Sequence, residues 1–239
     1  MKILTFDTST ETMYVTLGND SEVEAYKIIE TTVKSYNSAH LIPVIIELLQ
    51  SQNLTLQNIE AIGVNIGPGS FTGIRASATV AKVMAQQLDI PVVGVSSMEI
   101  YSLLNKTEED TLVLLDARRG KAYMAVYGKH GEIILEPQAN EYENTVKYAK
   151  NNDLFVISDK KMSEILKESS VECLNLCDVK ENFGIFLAKL TYKYLSNQEQ
   201  AAVIARSAES TTWQSNSLNW HNLKPLYIQP PPISMPKIK

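Results

Sequence analysis

Side chains that bind metals are scarce in this chain. Its 239 residues include two cysteines and three histidines. Cys173 and Cys177 could supply half of a metal site, but no second Cys/His pair accompanies them. The plainer reading is a pair of buried thiols near a strand end. His40, His130 and His221 lie far apart and form no H-x-x-x-H or H-E-x-x-H pair, which argues against a histidine metal centre. No Ser–His–Asp or Cys–His arrangement can be argued from spacing. Positive charge is also short: 22 Lys and Arg stand against 27 Asp and Glu, a net charge of −5. Gripping nucleic acid alone rests on neutralising phosphates with Lys and Arg, so this balance suits that role poorly outside a local basic patch. No apolar run approaches the roughly 18 residues of a membrane span. The opening Met1-Lys2-Ile3-Leu4-Thr5-Phe6-Asp7 is too short for a signal h-region and runs straight into strand-like sequence. The expectation is a cytoplasmic protein with no membrane contact.

What is abundant is core material, with 44% hydrophobic residues. The length allows one large domain or two small ones. Residues 2–6, 13–18 and 23–29 read as strands, with Asp7-Thr8-Ser9-Thr10 as the first turn. Residues 39–50 read as a helix, with Ser38 as N-cap and Pro43 in its first turn. Residues 61–64 form an apolar strand pattern, 76–88 a run of helix formers, 91–95 another strand and 98–104 another helix. The polar stretch 105–110 is the best boundary. The opening pattern then returns: Leu112 to Asp116 resembles Ile3 to Asp7, and Asp116 precedes Tyr123 by seven residues, as Asp7 precedes Tyr14. This recurrence 109 residues on points to an internal duplication with a cleft between halves, although two hairpins alike by chance would leave the same mark. The second half is thinner: a strand over 154–157, then Phe183, Phe186, Leu187, Leu190 and Tyr194 on one helical face. Five of the nine prolines fall after residue 224, so residues 207–239 read as a polar, proline-rich tail.

The most informative stretch is Gly67-Pro68-Gly69-Ser70-Phe71-Thr72-Gly73-Ile74-Arg75. It joins a buried strand to a helix, where free backbone N–H groups could meet an anion or a partner's backbone. It is neither G-x-G-x-x-G nor a P-loop, and Pro68 removes a donor that a phosphate would use. Ser70 and Thr72 can cap the helix, and Arg75 can meet an anion or a carboxylate. Asp7 and Asp116 each end an apolar strand. Across a cleft they would suit Mg²⁺–phosphate chemistry, but Asp also caps its own turn, and spacing alone favours the turn. The helix that follows carries Ile74, Ala78, Ala81, Ala85 and Leu88 along one stripe. Leu41, Ile42, Ile45, Leu48 and Leu49 give residues 39–50 a similarly wide apolar surface. Packing within the chain must use at least one face of each helix; a second face could serve another subunit.

Asp7-Thr8-Ser9-Thr10, His40-Leu41-Ile42-Pro43, Gly67 to Arg75, and Asp116-Ala117-Arg118-Arg119 followed by Tyr123 occur in the order and spacing of the TsaB (YeaZ) family. The resemblance covers residues 1–127 well and the rest weakly. It implies an α/β, actin-like fold of the sugar-kinase, Hsp70 and ribonuclease H type, duplicated into lobes at 1–104 and 105–206, the second reduced. It implies a non-catalytic partner subunit that activates a TsaD-type transferase, with no cofactor of its own. That complex, joined by a TsaE-type P-loop ATPase, threonylcarbamoylates N6 of the adenosine next to the anticodon in tRNAs reading A-starting codons. This chain would meet tRNA only through the complex and would form a homodimer when alone. The implied docking residues are His40, Leu41, Ile45, Leu48, Phe71, Ile74, Arg75, Ala78, Ala81 and Ala85. A degenerate phosphate-loop cleft would comprise Asp7, Thr8, Ser9, Gly67, Gly69, Ser70, Thr72, Gly73, Asp116 and Arg118.

Departures from the catalytic paralogue accompany the resemblance. The paralogue carries His-Met-Glu-Gly-His, whose histidines hold a metal, where this chain has Ser97-Met98-Glu99-Ile100-Tyr101. Hydroxyls replace imidazoles poorly as ligands. Beyond Gly131 only Gly184 remains, so the glycine-rich nucleotide loops have no counterpart. Gln229 stands where the family usually has arginine. An actin-like ATPase or phosphotransferase is the alternative reading; a metallopeptidase fits the histidine count badly.

Overall fold

A computed structural model describes residues 1–19, 22–30, 37–197 and 219–228. The first half runs β1 (Ile3–Asp7), β2 (Thr12–Gly18), β3 (Val23–Glu30), α1 (Asn37–Ser51), β4 (Ala61–Gly67), α2 (Phe71–Leu88), β5 (Val92–Ser96) and α3 (Ser97–Ser102). The second half repeats that order: β6 (Thr111–Asp116), β7 (Lys121–Tyr127), β8 (Ile133–Glu141), α4 (Tyr142–Asn151), β9 (Phe155–Ser158), α5 (Lys160–Glu168), β10 (Leu174–Asn175) and α6 (Phe183–Ser196). The two sheets, β3-β2-β1-β4-β5 and β8-β7-β6-β9-β10, share one strand order. In each, three antiparallel strands lead into parallel strands joined through helices. This is the duplicated actin-like, ribonuclease H-like topology. The second copy keeps every element but shortens its two outer parallel strands: β9 has 4 residues and β10 has 2, against 7 in β4 and 5 in β5.

Burial follows from position in the sheet. Central β1 is buried along its whole length, because helices cover both its faces. Edge strand β3 alternates between half-buried and exposed residues, as a strand with one solvated face does. One apolar cluster joins Leu4, Phe6, Ile62 and Val64 to α1 and α2. Another joins Leu112, Leu114 and Val156 to α4 and α5. A third lies between the sheets and includes Val95, Met98, Tyr101, Val113, Ile157, Phe186 and Leu187.

The last helix of each half crosses over: α3 packs against β6 and β7, and α6 against β1, β2, β4 and β5. Each lobe is therefore closed by a helix from the other half or by one shared with it. The contact is close at Gly63 of β4, where an added methyl would overlap the Thr191 side chain of α6. Gly63→Ala should cost about 1–3 kcal/mol through overpacking, a fall of roughly 2–12 °C in melting temperature. Pairing it with Thr191→Ala should recover part of the loss in a thermal melt.

The expected helix over 39–50 is observed as Asn37–Ser51, and the Ser38 side chain lies outside the described residues. The second hairpin departs from the expected correspondence. Asp7 opposes Tyr14, but Asp116 opposes Ala122 and Tyr123 opposes Leu115. The second turn is one residue shorter, so equal spacing in sequence does not mean equal place in the sheet. Of the expected tail, 207–218 and 229–239, Gln229 included, lie outside the described residues. Residues 219–228 pack on the first lobe: Leu223 is buried in its core, and the Leu226 N–H donates to the Ile66 carbonyl at 2.8 Å.

Candidate functional site

The end of β1 and the glycine turn after β4 meet in a buried polar network centred on Asn65. Asn65 Nδ2 donates to Asp7 Oδ2 at 2.7 Å and to Ser9 Oγ at 3.0 Å. Its Oδ1 accepts from the Gly67 N–H and the Ser97 hydroxyl, both at 2.8 Å. Both donors and both lone pairs of the amide are thus engaged. The Ser9 N–H donates to Asp7 Oδ1 at 2.7 Å. Burial holds the Asp7 carboxyl above the usual carboxylate range, and the hydrogen bonds from Asn65 and Ser9 pull it partly back. Burial, reinforced by the Asp7 charge, pushes the Tyr14 phenol up to about 12.

The glycine turn is spoken for in the same way. The Ser70 N–H donates to the Ser9 carbonyl at 2.7 Å, and the Thr8 hydroxyl donates to the Gly73 carbonyl at 2.7 Å. Ser70 caps α2 through the Gly73 N–H. An added methyl on Gly73 would overlap the Thr8 carbonyl, so this glycine permits two turns to touch. The amides of Gly67, Ser70 and Gly73, offered by the sequence as an anion cradle, already serve protein acceptors. Thr72 is exposed.

In the second lobe, Asp116 Oδ1 accepts from the Arg118 N–H at 2.8 Å and from the Tyr142 hydroxyl at 2.6 Å. The Asp116 N–H donates to Asp159 Oδ2 at 2.6 Å, and Asp159 Oδ1 caps α5 through the Met162 N–H. The bond to Asp116, with burial, raises the Tyr142 phenol to about 12. Arg118 and Arg119 both hold left-handed backbone, at φ 62° and 53°. Asp116 is therefore a turn acceptor bonded to its own lobe, the role favoured by its spacing.

Ser97 and Tyr101, at the positions matched to metal-holding histidines, have other occupations. Ser97 is fully buried and belongs to the Asn65 network. Tyr101 sits edge-on to Phe183 at 5.0 Å, and Phe183 in turn meets Tyr14 at 6.0 Å and Phe186 at 6.1 Å. Rings from β2, α3 and α6 thus fill the lobe junction. The fields of Asp7 and Asp159 both reach Tyr101, whose phenol burial drives far upward. Among the described residues, no group of three or more His, Cys, Asp or Glu is placed to hold a metal ion.

The surface of α1 and α2 differs from the sequence expectation. Leu41, Ile45, Leu48, Ile74, Ala78, Ala81 and Ala85 are at most 5% exposed and face the chain's own core. They are corrected from docking to packing residues. His40, Phe71 and Arg75 remain exposed. Beside them on the same helices stand Ile42, Ile46 and Val83, at 54%, 43% and 53% exposure. Arg75 lies over the Phe71 ring at 5.2 Å, and Phe71 meets Tyr227 at 5.8 Å.

Asn65 was not anticipated from sequence. Its signal was available: one amide inside the otherwise apolar run Ile62-Gly63-Val64-Asn65-Ile66, next to the glycine turn. No described helix is long and apolar enough to cross a membrane.

Comparison with known proteins places these features. The family model for TsaD, tRNA N6-adenosine threonylcarbamoyltransferase, matches residues 28–222. The Bacillus subtilis tRNA threonylcarbamoyladenosine biosynthesis protein TsaB is 38% identical over 129 residues, 53% of this chain and 55% of that protein. Its Escherichia coli namesake is 30% identical over 150 residues, 58% of this chain and 64% of that protein. The matched segments thus span less than two thirds of either relative. The solved structure of YeaZ from Pseudomonas aeruginosa superposes with a TM-score of 0.68, covering 95% of this chain and 99% of that one, at 20% identity that speaks for the fold alone. A family match over most of the length means that this chain belongs to the tRNA N6-adenosine threonylcarbamoyltransferase (TsaD) family, in which the relatives it resembles are TsaB proteins and the fold it shares is that of YeaZ.

Proposed function

We propose that this chain is a non-catalytic subunit that binds and activates a TsaD-type transferase acting on N6 of the adenosine next to the anticodon in tRNAs reading A-starting codons. One observation carries the reading: the polar groups of the ancestral cleft satisfy one another. Asp7 is bonded by Asn65 and Ser9, Ser97 by Asn65, and the turn amides by Ser9, Ser70 and Asn65. A carboxylate held in this way would have to break a buried network before it could reach Mg²⁺–phosphate.

Activation then rests on binding. A subunit that favours the competent arrangement of its partner raises activity without touching substrate, provided it binds that arrangement better. The exposed α1 and α2 residues His40, Ile42, Ile46, Phe71, Arg75 and Val83 supply an apolar face with a cationic edge. A TsaE-type ATPase joins the assembly, and tRNA, the concern of a cytoplasmic machine, is met through the partner. The net charge of −5 agrees with that indirect contact. Alone, the chain pairs with itself through the same face.

The competing reading, an actin-like ATPase or phosphotransferase, makes an opposite forecast. Titration of the isolated chain with Mg–ATP should give no saturable heat up to millimolar nucleotide. Micromolar binding that disappears in Asp7→Asn would overturn the non-catalytic assignment.

A further inference from the structure

Residues 219–228 form a strap fastened to three parts of the molecule. Trp220 and Leu223 pack into the core of the first lobe, Leu223 at 1% exposure. The Leu226 N–H donates to the Ile66 carbonyl at 2.8 Å, where β4 runs out into the glycine turn. Ile228 packs against the apolar cluster between the sheets. Tyr227, between these last two anchors, is 45% exposed and lays its ring against Phe71, 5.8 Å away and tilted by 41°.

Phe71 is the first residue of α2 and of an outward row along it. Phe71, Arg75, Thr79 and Val83 are all exposed and stand four residues apart, which sets them in one ridge. On that ridge the Arg75 guanidinium lies over the Phe71 ring at 5.2 Å. Arg75 forms no ion pair among the described residues. The charged residues of α2 are Arg75 and Lys82, with no acid, in a chain whose net charge is −5. An apolar ridge with unpaired positive charge is complementary to a partner surface that offers apolar groups and a carboxylate. Tyr227 carries the ridge past the start of the helix. An exposed ring at the first turn of a helix has several rotamers open to it; a second ring packed on it removes them, and the guanidinium stacked on Phe71 is fixed as well.

We propose that the strap is part of the docking face, and that Tyr227 is a positioning residue that holds Phe71, and through it Arg75, ready for a carboxylate of the TsaD-type paralogue. The inference rests on the docking role proposed above and adds a requirement that the faces of α1 and α2 alone do not carry: the strap must be seated for the partner to bind tightly. Leu223, Leu226 and Ile228 seat it in the chain's own core. Tyr227 passes that order on to the surface. A guanidinium already fixed in the free chain loses less freedom when its partner arrives, and affinity rises by that saving.

The test uses the whole chain, wild type and as Tyr227→Ala, Tyr227→Phe, Arg75→Gln and the combined Tyr227→Ala, Arg75→Gln variant. In the free chain, proton NMR reads the ring-current shift that Phe71 imposes on the Arg75 side chain. Tyr227→Ala should move those signals toward their unstructured positions, and Tyr227→Phe, which keeps the ring, should leave them in place. Titration with the purified paralogue should show Tyr227→Ala weakened about 10-fold or more and Tyr227→Phe near wild type. The combined variant should lose less than the product of the two single losses, because both changes act on one contact. A Tyr227 that only supported the fold would give independent losses and leave the Arg75 signals unmoved. Wild-type affinity in Tyr227→Ala, losses that multiply, or Arg75 signals indifferent to Tyr227 would overturn the inference and leave the docking role of α1 and α2 standing. A wild-type chain that does not bind the paralogue would overturn both.

Discussion

Ile46→Glu or Val83→Glu should leave the chain folded and weaken its complex with a TsaD-type paralogue by at least about 100-fold. Both residues sit inside helices with their side chains 43% and 53% exposed. Glutamate is a good helix former, and surface changes of this sort usually shift stability by no more than about 0.5 kcal/mol. In a complex the same carboxylate would be pressed against an apolar partner without water. An unpaired charge there costs several kcal/mol, and about 3 kcal/mol already exceeds 100-fold in Kd. A titration with purified paralogue, beside a thermal melt of each variant, reads the two effects separately. Glutamate at Leu41, Ala78 or Ala81 would be a poor probe, because those side chains are at most 3% exposed and the chain itself would come apart. Wild-type affinity in both surface variants would move the interface off these helices.

Asn65→Ala should be among the most destabilising single substitutions in the chain, at about 3–5 kcal/mol. The side chain is 1% exposed and makes four hydrogen bonds that join β1, the glycine turn and α3. Alanine leaves a buried carboxylate short of its strongest donor and leaves the Gly67 amide and Ser97 hydroxyl without their acceptor. For a chain of this size the expected fall in melting temperature is roughly 6–20 °C. The loss should depend on pH in a definite sense. Asn65 favours the ionised form of Asp7, so its removal raises that carboxyl further. The cost should be smallest in acid, where Asp7 is protonated, and grow as pH rises through its folded value. A melt at pH 4.5 and at pH 7.5 checks both statements. A deficit that is the same at both values would detach Asp7 from the network's energetics.

The first lobe was largely legible because its strands are apolar and its punctuation strong. Asp7-Thr8-Ser9-Thr10 and Gly67 to Gly73 mark their turns by chemistry that few other structures need. The faces of α1 and α2 were not legible. Both helices are apolar on more than one side, and periodicity cannot say which stripe belongs to the core. The sheet takes Leu41, Ile45 and Leu48, and leaves Ile42 and Ile46 outside. The second lobe was read only in outline. Its α4 and α5 are polar helices with few buried positions each, and β10 is two residues long, too little pattern for a period to register. Asp116 was placed rightly at a strand end, yet the one-residue difference between hairpins hid that its partner is Ala122. Asn65 escaped because a lone amide in a strand has no spacing to recognise. Its role exists only once β1, β4 and α3 are folded together.

The direct test of the partner-subunit account is light scattering on a sizing column, with this chain alone and then mixed in equal amount with the same organism's TsaD-type paralogue. The account predicts a homodimer that gives way to a complex of one chain with one paralogue. A chain that elutes unchanged in the presence of the paralogue, with and without nucleotide, would contradict it.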